Sequence, residues 1–214
     1  MRVCCILIAL ILAVGRAASA DVPQALRLID RLQERLGQCR DYQCLIHLYE
    51  RQGDRQEERS YRLYVKDCRL VRIKVVQGRG KGSEAVLEAD GRVRGRKGGL
   101  LKPFVETLKP EDRRIRSLRG MPFWEAACHN FLKEVRLRVT EPGTRSELEK
   151  DPDEPDRLLL TVSRPGATQE KYWIDPQQLQ VIRGQLFEND VLVRQFSIQE
   201  VKENVGLSDD FFSF

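Results

Sequence analysis

From Pro23 onward the apolar residues Ala25, Leu28, Ile29, Leu32 and Leu36 recur every three or four positions, with Arg27, Asp30, Arg31, Glu34 and Arg35 between them. That spacing predicts one amphipathic helix whose apolar stripe packs on a core. Pro23 suits its first turn and Gly37 its exit. Beyond the helix the period falls to two, less cleanly over residues 41–50, then in Tyr61, Leu63 and Val65, and again in Val71, Ile73 and Val75 with Arg72 and Lys74 opposed. These stretches predict half-buried strands. Gly53-Asp54, residues 78–82, Asp90-Gly91 and Gly98-Gly99 separate them and supply the backbone angles that tight reversals need, so consecutive antiparallel strands are expected.

The middle of the chain breaks this rhythm. Lys109-Pro110-Glu111-Asp112 reads as the start of a short helix, and Trp124, Ala127, Cys128, Phe131 and Val135 fall at helical spacing within residues 122–135. Residues 140–156 are polar, acidic and interrupted by Pro142, Pro152 and Pro155, which reads as a solvated excursion. Strand patterns resume over residues 158–163 and in Tyr172-Trp173-Ile174. After a turn at Asp175-Pro176 they continue over 179–187 and, past Asn189-Asp190, over 191–201. Strands on both sides of a helical insertion, with a helix in front, predict an α+β fold built on a large antiparallel sheet. One face of that sheet is to be covered by the helices.

The first twenty residues change the setting in which that fold works. Arg2, an apolar run over 3–14 and the exit Ala18-Ser19-Ala20 read as a secretory signal peptide cut after Ala20, leaving residues 21–214 as one domain. The apolar run is short of the roughly 20 residues needed to cross a bilayer. Cys4 and Cys5 precede it, and Asp21 follows the cut, so no lipid-modified cysteine is expected. Charge adds little. The 37 Lys and Arg against 32 Asp and Glu give a net +5, and Arg2 and Arg16 belong to the leader. This weak basic bias does not argue for nucleic acid and suits mild attraction to anionic lipid.

Cys39, Cys44, Cys68 and Cys128 remain after cleavage, as structural disulfides or buried thiols, with three pairings open. A Cys39–Cys44 bridge would staple the first helix to the first strand. No ligand spacing completes a metal site, and no cofactor motif is present. Catalysis also lacks a scaffold. The two histidines are His47 and His129, and Cys128-His129 on a helix point about 100° apart, unsuited to a nucleophile and its base.

The closing stretch carries a resemblance. Tyr172-Trp173-Ile174-Asp175-Pro176-Gln177-Gln178-Leu179, Leu186-Phe187-Glu188, Phe196, Val201 and Asn204-Val205-Gly206-Leu207-Ser208-Asp209-Asp210-Phe211-Phe212 resemble the carboxyl-terminal half of the periplasmic lipoprotein carrier superfamily (LolA/LolB-like), in particular an uncharacterised exported branch. The resemblance implies a strongly curved antiparallel sheet, an incomplete barrel covered by the amino-terminal helix and the mid-chain insertion. Its concave apolar face would accept lipid or lipoprotein acyl chains in the periplasm. Four cysteines depart from the usual pattern, and the arginine that locks the family's lid matches no single residue here.

On that reading the groove lining is Tyr61, Leu63, Val65, Val71, Ile73, Val75, Leu160, Val162, Trp173, Val181, Phe187, Phe196 and Ile198, which ordinary core packing would equally explain. Arg92, Arg94, Arg96 and Lys97, interleaved with glycines, suit contact with an anionic head group or membrane surface. Alternatively they form a solvated hairpin with charged edges. The alternative function is an envelope interaction or scaffold module with a protein partner and no lipid cargo. Oligomeric state is not set by the sequence.

Overall fold

The computed structural model describes residues 22–101 and 103–214; the leader and its cut lie outside the described residues. The helix α1 (Val22–Gly37) is followed by β1 (Asp41–Gln52), β2 (Arg55–Lys66), β3 (Leu70–Gly78), β4 (Glu84–Leu87), β5 (Val93–Arg96) and β6 (Val105–Leu108). After a connection holding α2 (Cys128–Thr140) come β7 (Arg145–Lys150), β8 (Leu158–Arg164), β9 (Thr168–Asp175), β10 (Gln180–Glu188) and β11 (Val191–Glu203). All eleven strands form one antiparallel sheet, ordered β6-β5-β4-β3-β2-β1-β11-β10-β9-β8-β7, which does not close into a barrel.

Two meanders therefore meet at the β1–β11 pair, and each ends at a free edge, one at β6 and the other at β7. Those edges are consecutive in sequence, so residues 109–144 must travel from one to the other across the hollow side of the sheet. That path explains the helical insertion. A 3-10 turn Phe123–Ala126 packs on the β1–β6 half, and α2 beside α1 covers the β7–β11 half. The helix expected over 122–135 is thus two pieces, broken at the extended Ala127, and runs on to Thr140.

The alternation on each strand follows from this cover. Tyr42, Cys44, Ile46 and Leu48 of β1 pair with Val65, Leu63, Tyr61 and Arg59 of β2, so period-two side chains reach the covered face together. Residues 145–150, expected as loop, are the edge strand β7. Its sequence hides this because only Ser146 and Leu148 face inward while Arg145, Glu147 and Glu149 face water, the charged composition usual at an exposed edge. The expected short helix after Lys109 is a 3-10 turn, Arg113–Ile115, capped by Asp112.

The closing segment wraps back onto the start of β1. The Asp41 carboxylate, 5% exposed, accepts from the backbone N–H groups of Val205 (2.7 Å), Gly206 (3.2 Å) and Leu207 (3.3 Å), and Asn204 Oδ1 accepts from Arg40 N–H. Residues 207–214 then lie on the convex face, where Phe212 is buried with Leu70 and Val86 and Phe211 meets Tyr64 edge-on. Arg72 ties the segment down. Its guanidinium donates to the Phe211 carbonyl, pairs with Glu84 and lies over the Phe211 and Phe214 rings.

Asp175 makes a smaller turn by the same means, accepting from Gln177 and Gln178 N–H. The motif quoted from the closing sequence is therefore a turn capped by its own Asp175 and a segment whose N–H groups are capped by Asp41 of β1, with phenylalanines covering apolar strand surface.

Asp41→Ala removes the one carboxylate that three N–H groups share, and a hydrogen bond to a charged group contributes a net of about 1.5–3 kcal/mol. We expect a loss of roughly 2–3 kcal/mol in chemical denaturation, on that same scale, with Asp41→Asn recovering part of it. Burial pushes the Glu84 carboxyl up, but Arg72 and Arg96 more than offset this and hold it below its ordinary range. A carboxylate with a depressed folded value stabilises above its unfolded value of about 4.3 and loses that contribution as pH falls through the folded value. The stability difference between wild type and Glu84→Gln is therefore largest near neutrality and shrinks below about pH 4, measurable by urea melts at stepped pH.

Candidate functional site

The covered face is apolar from the Asp41 end of β1 to its middle, and it divides into two packed groups. One contains Tyr42, Cys44, Ile46, Tyr61, Leu63, Val65, Val71, Ile73, Phe123 and Ala127; the other joins Leu28, Ile29 and Leu32 of α1 with Leu132, Val135 and Val139 of α2, Leu160, Val162, Tyr172, Ile174 and Val181. Leu36 and Phe196 touch both groups. Phe131 stands edge-on to Tyr172 and Phe196, at 5.4 and 5.3 Å. Phe196 lies over Gly184, where a Cβ would come within 2.3 Å of the ring, so only glycine admits the aromatic at that point.

Of the expected groove residues, Tyr61, Leu63, Val65, Val71, Ile73, Val75, Phe196 and Ile198 belong to the first group or pack on it, and Leu160, Val162 and Val181 lie in the second. Trp173 and Phe187 do not face the hollow. Trp173 pairs with Leu159 and Arg183 on the convex side and sits under the Arg183 guanidinium at 3.8 Å, and Phe187 is opposite Gln169 beneath Lys171. Parity decides this. In Tyr172-Trp173-Ile174 all three residues are apolar, so the sequence does not say which points inward, and a bulge at residue 182 shifts the phase along β10 ahead of Phe187.

A void of about 50 Å³ remains at the seam between the helices and the sheet. Its walls include Leu32 and Leu36 of α1, Phe131 of α2, and Tyr42, Val181, Ile198 and Val201 of the sheet. Arg35 closes its rim by pairing with Glu203 at 2.5 Å. The Tyr42 hydroxyl, at the void, accepts from the first N–H of α2 at Cys128 (2.8 Å), and burial pushes the phenol well above its ordinary range. The chain's own side chains thus fill nearly all of the hollow.

The other end of the covered face is polar. Glu50, 2% exposed, accepts from Arg194 Nε (2.9 Å), Ser117 Oγ (3.0 Å) and Arg119 N–H (3.2 Å). Arg119 also donates to the Arg51 carbonyl and pairs with Glu188. Outside this floor an open cleft of about 500 Å³ lies between the β1–β2 and β10–β11 hairpins, with Arg51, Asp54, Arg119 and Glu188 balancing charge in its walls. Arg138 of α2 reaches the buried Glu170, which Arg164 and Tyr172 also contact, and so fixes the far end of that helix. Neither Glu50 nor the Arg35–Glu203 rim was legible beforehand, because each joins residues far apart in sequence.

No disulfide joins the described cysteines: Cys39, Cys44, Cys68 and Cys128 are free thiols. Cys39 accepts from Arg35 at the helix end (3.2 Å), while Cys44 points into the hollow. Burial pushes the Cys128 thiol up, the reverse of nucleophile activation. His47 lies on the convex side, sharing a 2.8 Å hydrogen bond with Ser60 Oγ.

Most of the basic tract has carboxylate partners of its own. Arg92 pairs with Asp90 (2.6 Å), Arg94 with Glu88 (3.4 Å) and Arg96 with Glu84 (3.0 Å). Lys97 is exposed and makes no ion pair among the described residues. No described helix is long and apolar enough to cross a membrane.

No protein-family model and no curated protein matches the sequence. Solved structures do match. An uncharacterised conserved protein of Thermus thermophilus is 14% identical over 88% of this chain and 92% of its own, with a TM-score of 0.52. The lipoprotein LppX of Mycobacterium tuberculosis is 11% identical over 88% and 99%, also at 0.52. A LolA superfamily protein of Nitrosomonas europaea is 10% identical over 89% and 97%, at 0.42. Likeness at such identities is likeness of fold alone, and this chain shares its fold with the Thermus thermophilus protein and with LppX.

Proposed function

We propose that the chain is an exported, non-enzymatic carrier-like protein of the periplasm, cut after Ala20, that binds the acyl chain of a lipid or lipoprotein against its concave face. The observation that carries this reading is the apolar seam under α1, with its void of about 50 Å³ and its rim closed by Arg35–Glu203. Pockets for drug-sized ligands measure about 300–1,000 Å³, so the seam is a point of entry and α1 has to withdraw.

That helix is suited to withdrawing. Among the described residues it joins the sheet only through residues 38–40. Its polar ties, Arg35–Glu203 and Asp30–Arg136, are part-exposed pairs of the kind worth about 0–1 kcal/mol each. Acyl methylenes would replace Leu28, Ile29 and Leu32 on the same surface at about 0.8 kcal/mol each. Entry is then an exchange of one apolar cover for another, and apparent affinity scales with the fraction of molecules whose helix is open.

A second reading, an envelope interaction module with a protein partner, draws support from the filled hollow itself. Displacement of an environment-sensitive fluorophore by fatty acids separates the two. Acyl binding predicts displacement by wild type, at least about tenfold weaker displacement when Val201→Trp blocks the seam, and up to about fivefold tighter apparent binding when Arg35→Ala frees the rim. If neither wild type nor Arg35→Ala is displaced by any chain length, and no lipid is extracted from natively purified protein, the acyl reading fails and the module reading replaces it.

A further inference from the structure

We propose that the tip built from the β3–β4 turn and the β5–β6 connection docks the protein on an anionic lipid bilayer. Leu100 is 97% exposed, Phe104 67% and Leu101 49%, three of the six exposed large apolar side chains among the described residues, gathered within five positions. The other three, Leu137, Val191 and Val205, stand apart on different elements. A cluster of this kind on an otherwise charged chain marks an interaction surface.

The tip is a built feature. Gly98 lies so close to the β3–β4 turn that a Cβ there would be 2.5 Å from the Lys81 carbonyl oxygen and 2.8 Å from the Gly82 carbonyl carbon, and its N–H meets Ser83 Oγ at 3.4 Å. The two loops are thereby held together at one end of the sheet, so Arg79 and Lys81 of one loop share this tip with Lys97 and the apolar residues of the other. All three cations are exposed, and none forms an ion pair among the described residues. The arginines one strand inward, Arg92, Arg94 and Arg96, are occupied by Asp90, Glu88 and Glu84.

Protruding apolar side chains that share one tip with three free cations fit a fluid apolar layer under negative head groups. Each cation near such a surface strengthens binding by roughly fivefold, and burying Leu100 from near-complete exposure by about tenfold or more. The tip lies at the β1–β2 hairpin end of the sheet, whereas Arg35–Glu203 lies at the Asp41 end, so docking leaves the seam free.

The test is flotation of the mature chain with vesicles of one part phosphatidylglycerol to two parts phosphatidylcholine, beside vesicles of phosphatidylcholine alone. We expect binding to the anionic vesicles that weakens with salt. Leu100→Asp combined with Phe104→Asp should lower it at least about tenfold, and Lys81→Glu or Lys97→Glu at least about fivefold each. These side chains are exposed, so unchanged urea melts identify the variants as folded. The proposal is overturned if wild type floats with neither vesicle, if Leu100→Asp/Phe104→Asp binds like wild type, or if sedimentation without vesicles shows self-association that this variant abolishes. No outcome depends on the hollow, so it stands or falls separately from acyl binding.

Discussion

The two free edges of the sheet are consecutive in sequence, and this constraint shapes everything built on it. A chain leaving β6 must reach β7 at the far side of an eleven-stranded sheet, and the path residues 109–144 take lies across the hollow. Curvature shortens that path and apolar alternation rewards it, since a sheet with one apolar face has to hide it. The inner cover is therefore covalently fixed at both ends, through Phe123, Ala127 and α2. Only α1 enters the hollow from outside the sheet's circuit. The two helices consequently differ in kind: α2 is anchored by Tyr42 at its start and the Glu170 cluster at its end, and α1 is held mainly by apolar contact.

That difference bears on what the fold can do. A preformed cavity would bind with no conformational cost, whereas a hollow filled to within about 50 Å³ would bind only through a minor open state. The cost of opening is the apolar area α1 uncovers, less what a ligand covers again, and the ion pairs at the rim add little to it. A guest with a long hydrocarbon tail recovers most of that area. A compact polar guest recovers none, and the open cleft at the hairpin end, with its two cations and two carboxylates, gives such a guest no net charge to recognise.

Sequence patterning carried the fold a long way and then stopped for reasons that can be named. Period-two runs and turn glycines placed β1, β2, β3, β8, β10 and β11, and the three-four spacing placed α1, because in each case one face meets water and the other does not. The edge strand β7 escaped because its inward positions are Ser146 and Leu148 alone, and β6 because it spans four residues. Tyr172-Trp173-Ile174 marks a strand without fixing its phase, so its parity leaves Trp173 free to lie on either face. Most of the remaining lining was legible as apolar alternation. The polar parts of the site were not: Arg35 with Glu203, and Glu50 with Arg194 and Ser117, are separated by 168, 144 and 67 positions, and no local pattern reports them.

The same separation of chemistry runs along the molecule's length. At the Asp41 end the sheet is greasy inside and closed by a part-exposed ion pair, and the closing segment is strapped there by a buried carboxylate. At the hairpin end the covered face turns polar around Glu50, and the outer loops carry the exposed leucines, Phe104 and the free cations. A molecule whose apolar interior opened directly onto a bilayer through the same end that docks would risk dissolving its own helix cover in the lipid. If the tip docks and the hollow takes an acyl chain, their placement at opposite ends makes membrane contact and helix withdrawal separate equilibria. Each then responds to its own variable, surface charge and salt for the tip, and acyl length for the hollow.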